Sequence, residues 1–436
     1  MKTKIYSFMK KAILVLLILV VSSGLAFAEK SEKSSKKKDK DDRTFFDRFW
    51  ELGVTADVGL ANNYFAILDF FHETIVIDMD KMYETIGYKG LTLDVGAEVH
   101  IFSNILTKNF ELGFDIGVDP TINFVLSKDT IGLISEGNGS KIDQEMSIGV
   151  GVATAAYLDV DVPVMFTLGD KLKFHVTPSY FIPLIYLPYT DVAATVKINS
   201  DGTAQVSADQ TLAVYSALPI YNYINGDTTT LDYFDILSKG GFDITVAGEF
   251  EFLENLYLGA SATNIPIVPS RLQSNYAYKV TVDYKMESSL LETLISGGFN
   301  SESFQNCYSY EPVESDGSTI NVFRPLKFGF WADWRVLGND LLILTPFVQM
   351  RFLDATVGNA VGFGFDYALK GLLDLKFFRT SLTSSYVDNI FKQELAFAFN
   401  IRFFELDLVI SSQATSFSKS FCGSGVGVGV GVILGF

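Results

Sequence analysis

The sequence predicts an all-β protein, a transmembrane antiparallel β-barrel of about 14 strands (range roughly 12–16), behind an N-terminal signal peptide. Three observations carry this. Residues 423–436 (GSGVGVGVGVILGF) alternate Gly with apolar residues and stop on Phe436. Period two puts every large side chain of a strand on one face. The start of the chain has the layout of a secretory signal, and no later apolar run reaches the ~20 residues of a spanning helix. Between the two ends, segment after segment alternates apolar with polar or Gly residues. A Gly-rich last strand needs neighbours on both edges and an apolar solvent for its Val face, and a membrane barrel supplies both.

Lys2, Lys4, Lys10 and Lys11 precede an apolar run from Ala12 to Val21, and small residues lead to Ala26-Phe27-Ala28. Cleavage is expected after Ala28, leaving residues 29–43 as a charged linker with nothing to bury. Residues 44–436 then read as one barrel domain, with no shift of composition inside it. Removing residues 1–28 takes away four Lys and no acid, so 30 bases remain against 51 acids. That balance excludes nucleic acid as a partner, since phosphate binding requires a basic surface. The 38 Phe and 20 Tyr suit strands and interfacial belts.

The first three strands are the clearest. Trp50, Leu52, Val54, Ala56, Val58 and Leu60 alternate with Glu51, Gly53, Thr55, Asp57 and Gly59; similar patterns run through 91–101 and 111–119. Further strands are expected at 144–168, 171–187, 240–252, 256–264, 322–336, 341–352, 360–368, 371–384, 391–402, 404–415 and 423–436. Short connections, among them Ala368–Gly371 and Arg402–Phe403, alternate with long ones such as 188–239 and 265–321. Outer-membrane barrels alternate inner turns and external loops in this way. Within the long connections, Ala66–Ile86 has helix-compatible spacing, and Ser200-Asp201-Gly202 reads as the turn of a hairpin. Pro163, Pro178, Pro183 and Pro188 each remove a ladder donor and read as bends or breaks in the wall.

Motifs of chemistry are missing. His72, His100 and His175 show no metal-ligand spacing, the terminal Gly repeat lacks a G-x-G-x-x-G, and there is no G-x-S-x-G elbow. No catalytic, cofactor or metal residue is therefore expected, and the chain does not read as an enzyme. Cys307 and Cys422 enter an oxidising compartment on secretion, where a disulfide between two external segments and a pair of free thiols are both open readings.

Followed inward, the alternation yields lumen-facing candidates of two signs. Glu51, Asp57, Asp94, Glu98, Glu111, Asp115 and Asp119 are acidic, while Lys327, Arg335, Arg351, Lys376 and Arg402 on later strands are basic. Charges so divided either set up a field across a water-filled pore or pair to fill a narrow one.

Gly259–Asn264 (GASATN) and Arg324–Trp334 (RPLKFGFWADW) resemble segments of the outer-membrane barrels related to FadL, TraF and PorV-like proteins. The resemblance implies fourteen strands and a transport role. FadL-type transporters carry an N-terminal plug, to which Thr44–Trp50 (TFFDRFW) would correspond, though it is far shorter. A terminal aromatic strand also resembles the signal on outer-membrane proteins, so Phe436 is the expected handle for the barrel-assembly machinery. The expected partners are outer-membrane lipid, that machinery and small solutes, hydrophobic ones included. The expected function is a channel or transporter in the cell outer membrane. The alternative is a non-conducting surface barrel whose loops at 188–239 and 265–321 bind a partner.

Overall fold

The computed structural model describes residues 48–436, apart from 66–77, 88–89, 108, 137–142, 169–170, 201–203, 220–231, 286–307, 314–317, 338–339, 353–362, 388–389, 415 and 424. The signal peptide, the charged linker, the start of the Ala66–Ile86 segment and Cys307 lie outside the described residues.

The described strands are β1 (Trp50–Asn62), β2 (Leu91–Leu106), β3 (Phe110–Leu126), β4 (Glu145–Asp161), β5 (Val164–Leu168), β6 (Leu172–Ile198), β7 (Ala204–Tyr215), β8 (Gly241–Leu253), β9 (Leu256–Val268), β10 (Ser270–Lys285), β11 (Tyr308–Val313), β12 (Thr319–Val322), β13 (Leu326–Arg335), β14 (Leu342–Phe352), β15 (Phe363–Asp374), β16 (Phe378–Val387), β17 (Ile390–Asn400), β18 (Phe404–Ala414) and β19 (Gly425–Gly435). Three short helices, α1 (Met79–Thr85), α2 (Lys128–Glu136) and α3 (Tyr233–Ser238), sit on the connections. No described helix is long and apolar enough to cross a membrane.

Antiparallel ladders run from β1 through β2, β3, the β4/β5 pair, β6, β8, β9 and β13 to β19, and β19 returns to β1. This is a closed barrel of fourteen wall strands, because β4 and β5 are one strand interrupted at Val162–Pro163: both pair with β3 on one side and β6 on the other. Closure matters because an open edge in lipid would leave backbone groups without partners. Across the interruption, the Gly113 N–H donates to the Pro163 carbonyl at 2.7 Å and the Val162 N–H to the Pro178 carbonyl at 3.1 Å. Pro183 and Pro188 mark the two places where the β4–β6 ladder shifts register.

Large apolar side chains are exposed on one parity of each wall strand. Leu52, Val54, Val58 and Leu60 on β1, Phe365, Tyr367 and Leu369 on β15, and Val426, Val428, Val430 and Val432 on β19 are all more than a third exposed. In water such a surface would aggregate; in lipid it is the outer face. Aromatic pairs ring both rims, with Trp50 against Phe436 (5.5 Å) and Phe378 against Phe399 (5.1 Å) at the end of the short turns, and Tyr367 against Tyr386 (5.0 Å) and Phe391 against Phe417 (5.7 Å) at the other. The short-turn end is taken as the inner one and the loop end as the external one, as in outer-membrane barrels generally.

The structure corrects two expectations. Residues Ala368–Gly371 are not a turn, since β15 runs unbroken to Asp374 and pairs there with Arg379. The turn is Leu375-Lys376-Phe377, where the Asp374 carboxylate accepts the Lys376 N–H at 2.6 Å and Lys376 takes φ 70°. Arg402 sits in an equivalent turn, its N–H held by Asn400 Oδ1 at 3.0 Å and its φ at 51°. Neither base is therefore on an inward strand position. The hairpin expected in the 188–239 connection is present: β6 continues to Ile198 and pairs with β7 from Ala204, and β7 pairs with β10 of the 265–321 segment, building a sheet outside the closed wall. We expect Asp374→Ala to lower stability by about 1 kcal/mol through the lost turn hydrogen bond. Lys376→Asn should be neutral, because Asn accepts positive φ; urea unfolding of the detergent-refolded barrel measures both.

Candidate functional site in the barrel lumen

The inward parity carries nearly all the polar side chains. On β19 it is glycine, and the space so left is used by neighbours: a Cβ on Gly429 would stand 1.9 Å from Asp57 Oδ1, and one on Gly427 2.5 Å from the Ser411 hydroxyl. The seam is therefore smooth toward lipid and recessed toward the lumen.

Glu51, Asp57, Asp94, Glu98, Glu111, Asp115 and Asp119 occupy the face of β1–β3 opposite the exposed apolar one. Register sets Asp57 beside Glu98 and Phe102 beside Asp115. His100, on the same face as Glu98, stands between two carboxylates, Nδ1 3.2 Å from Asp115 Oδ1 and Nε2 3.1 Å from Asp119 Oδ1. Lys327, Arg335 and Arg351 lie on the inward face of β13 and β14, with Lys327 directly opposite Arg351 across their ladder. Arg351 forms a two-pronged ion pair with Asp366, at 2.6 and 2.9 Å. Arg335 pairs with Asp340 at 2.9 Å and lies over the Tyr257 ring at 4.3 Å. The bases are thus mostly matched by a carboxylate nearby, while Asp115 and Asp119 share the one imidazole of His100.

Two arrangements escaped the sequence. At the first, Arg324, between β12 and β13, reaches inward to bind Asp243 of β8 through two bonds (2.8 and 2.7 Å) and Asp159 of β4 at 2.9 Å, passing over the Phe181 ring at 5.2 Å. Asp159 and Asp243 are buried. This brace ties walls that are 81 and 165 residues from Arg324 in the chain. At the inner mouth, Arg48 is buried against Glu51 (3.1 Å), Glu405 (3.1 Å) and Asn400 (2.9 Å), and Glu405 is also held by Arg379. Arg48, Glu51 and Arg324 lay in segments that drew notice as sequence, Arg48 within Thr44–Trp50, but their partners did not follow from it.

Around the mouth lies a cavity of about 1020 Å³ lined by Arg48, Glu51, Asp340, Asp374, Lys376 and Asp407 among others. A second, of about 330 Å³, is lined by Thr55, Asp57, Lys370, Ser381 and Val409. Arg379, Glu405 and Asp407 line both. On the far wall the inward residues are aromatic: Trp331 lies opposite Phe347 across the β13–β14 ladder and packs over Gly259. Cys422 ends a 3₁₀ turn (Ser418–Cys422) at the start of the last strand.

No family model matches the chain, and no curated protein matches it. Among solved structures it is similar in outline to the toluene transporter TodX of P. putida, at 9% identity over 89% of this chain and 90% of that one, with a TM-score of 0.45. The toluene transporter TbuX of Ralstonia pickettii gives 8%, 89%, 90% and 0.43. A Pseudomonas aeruginosa FadL homologue gives 10%, 89%, 91% and 0.42.

Proposed function

We propose that the chain is an outer-membrane channel for small solutes, hydrophobic ones included, and that Arg48 closes its inner mouth. The observation that carries this reading is the pair of lumen cavities, of about 1020 and 330 Å³, meeting at Arg379, Glu405 and Asp407. A scaffold barrel has no use for such volume above its inner opening, where side chains could pack. An interior with carboxylates on one wall and the Trp331–Phe347 pair on another suits solutes with an apolar body. Arg48 belongs to the short segment ahead of β1, so its release would move no wall strand.

The test is permeation into liposomes holding the refolded barrel, with toluene, named for two of the compared proteins, and a neutral sugar as probes. Arg48→Ala is expected to admit both faster than the parent protein, with the fold checked by heat-modifiable mobility. A folded Arg48→Ala barrel that passes neither probe sinks the channel reading.

A further inference from the structure

We propose that Glu98, His100 and Asp119 form a binding site for a divalent transition-metal cation on the acidic wall of the lumen, a role independent of what the channel carries. Imidazole with carboxylate oxygens is a donor set suited to Zn²⁺, Co²⁺ or Ni²⁺. One ligand atom from each of the three residues lies within 4.8 Å of the others, so one ion can touch all three after small side-chain rotations.

Three further observations separate this group from an ordinary acidic surface. First, His100 approaches the cluster with Nε2, at 3.1 Å from Asp119, while Nδ1 is held by a carboxylate outside the trio, Asp115, at 3.2 Å. A metal-bound histidine characteristically gives its other ring N–H to a carboxylate, which fixes the tautomer and raises the basicity of the ligating nitrogen. Second, the ring has a prepared seat: on β3 the residue opposite His100 is Gly117, where a Cβ would stand 2.4 Å from His100 Cε1. Any larger residue there would push the imidazole off Asp115 and Asp119. Third, the charge is unbalanced. Among the described residues no Lys or Arg lies within ion-pair distance of Glu98, Asp115 or Asp119, whereas Lys173, Arg324, Arg335, Arg351, Arg379 and Lys392 each have a carboxylate of their own. Asp57 stands beside Glu98 in register and adds to the excess. Carboxylates grouped inside a protein wall call for a counter-charge, and a divalent cation supplies it where one imidazole cannot.

The experiment is titration of the chelator-treated, detergent-refolded full chain with Co²⁺ alone, followed by visible absorption and equilibrium dialysis. The expected result is one Co²⁺ per chain with a ligand-field band, displaced by Zn²⁺. His100→Gln should abolish the band, and Asp115→Ala, which removes the orienting bond, should weaken binding about 10–100-fold. Glu111→Gln, a lumen carboxylate outside the group, should bind as the parent does. Failure of the parent protein to bind Co²⁺, or equal binding by folded His100→Gln, overturns the proposal. Should His100→Gln not reach the heat-modifiable form, Glu98→Gln takes its place, since Glu98 is exposed to the lumen and its loss leaves the ring contacts intact; unchanged binding by that variant overturns the site equally.

Discussion

Replacing Arg324 by Met is expected to destabilise the barrel by about 3–5 kcal/mol, the cost of leaving a buried charge pair half broken. Among the described residues the guanidinium is the only cation on Asp159 and Asp243, whose side chains are 7% and 2% exposed. The neighbouring acids offer no substitute; Asp161 is in register with Ser179 on the same ladder and only adds negative charge. Asp243→Asn alone should cost less, because Arg324 keeps Asp159 and an amide can still accept. The combination Asp159→Asn, Asp243→Asn and Arg324→Met should recover most of the loss, since no charge is then stranded. Urea midpoints of the heat-modifiable form give all three values. A loss under about 1 kcal/mol for Arg324→Met would mean that water reaches the carboxylates and the brace is not dry.

Gly429→Leu is the second large effect. A Cβ at that position falls 1.9 Å from Asp57 Oδ1, across the ladder that closes the barrel. Overfilling a packed site commonly costs about 1–3 kcal/mol, and here the displaced group is the Asp57 carboxylate, which would have to swing into the cavity it lines. Asp57→Gly combined with Gly429→Asp exchanges the two across the seam and should restore folding. On the opposite face, Val430→Arg puts a charge into lipid at the middle of β19, an expected cost of about 2–4 kcal/mol. Should Gly429→Leu fold with unchanged stability, the seam does not have the recess described.

Much of this fold could be read from the chain because lipid imposes period two on every wall strand, and the exposed Val, Leu and Phe of β1, β15 and β19 obey it without exception in their central turns. One inner turn was misplaced. Gly371 looked like punctuation, yet it lies within a strand, and the real turns Asp374-Leu375-Lys376-Phe377 and Asn400-Ile401-Arg402-Phe403 contain neither Gly nor Pro. They are built on an Asx hydrogen bond and bordered by exposed Phe, because the aromatic rim of the membrane begins there. Their shared [Asp/Asn]-[Leu/Ile]-[Lys/Arg]-Phe-Phe pattern was a repeat available in the sequence. The site was legible only by halves. Glu98 and His100, two residues apart, had to share a face, but Asp119 joins them through the β2–β3 register, and Arg324 meets Asp159 through the order of walls around the barrel. Neither follows from local pattern.

The ladder from Glu51–Gly435 to Ala61–Gly425 joins the two ends of the described chain. Its contacts span almost the whole sequence, so among all pairings in the molecule this one carries the greatest chain-closure entropy. Phe436 then completes it, its carbonyl taking the N–H groups of Phe49 (2.6 Å) and Trp50 (3.1 Å). The pairing of greatest separation along the chain thus falls to the lightest strand, whose inward glycines present little bulk to the strand it meets. Folding kinetics of seam variants, rather than their equilibrium stability, are where the Gly–Val repeat should matter most.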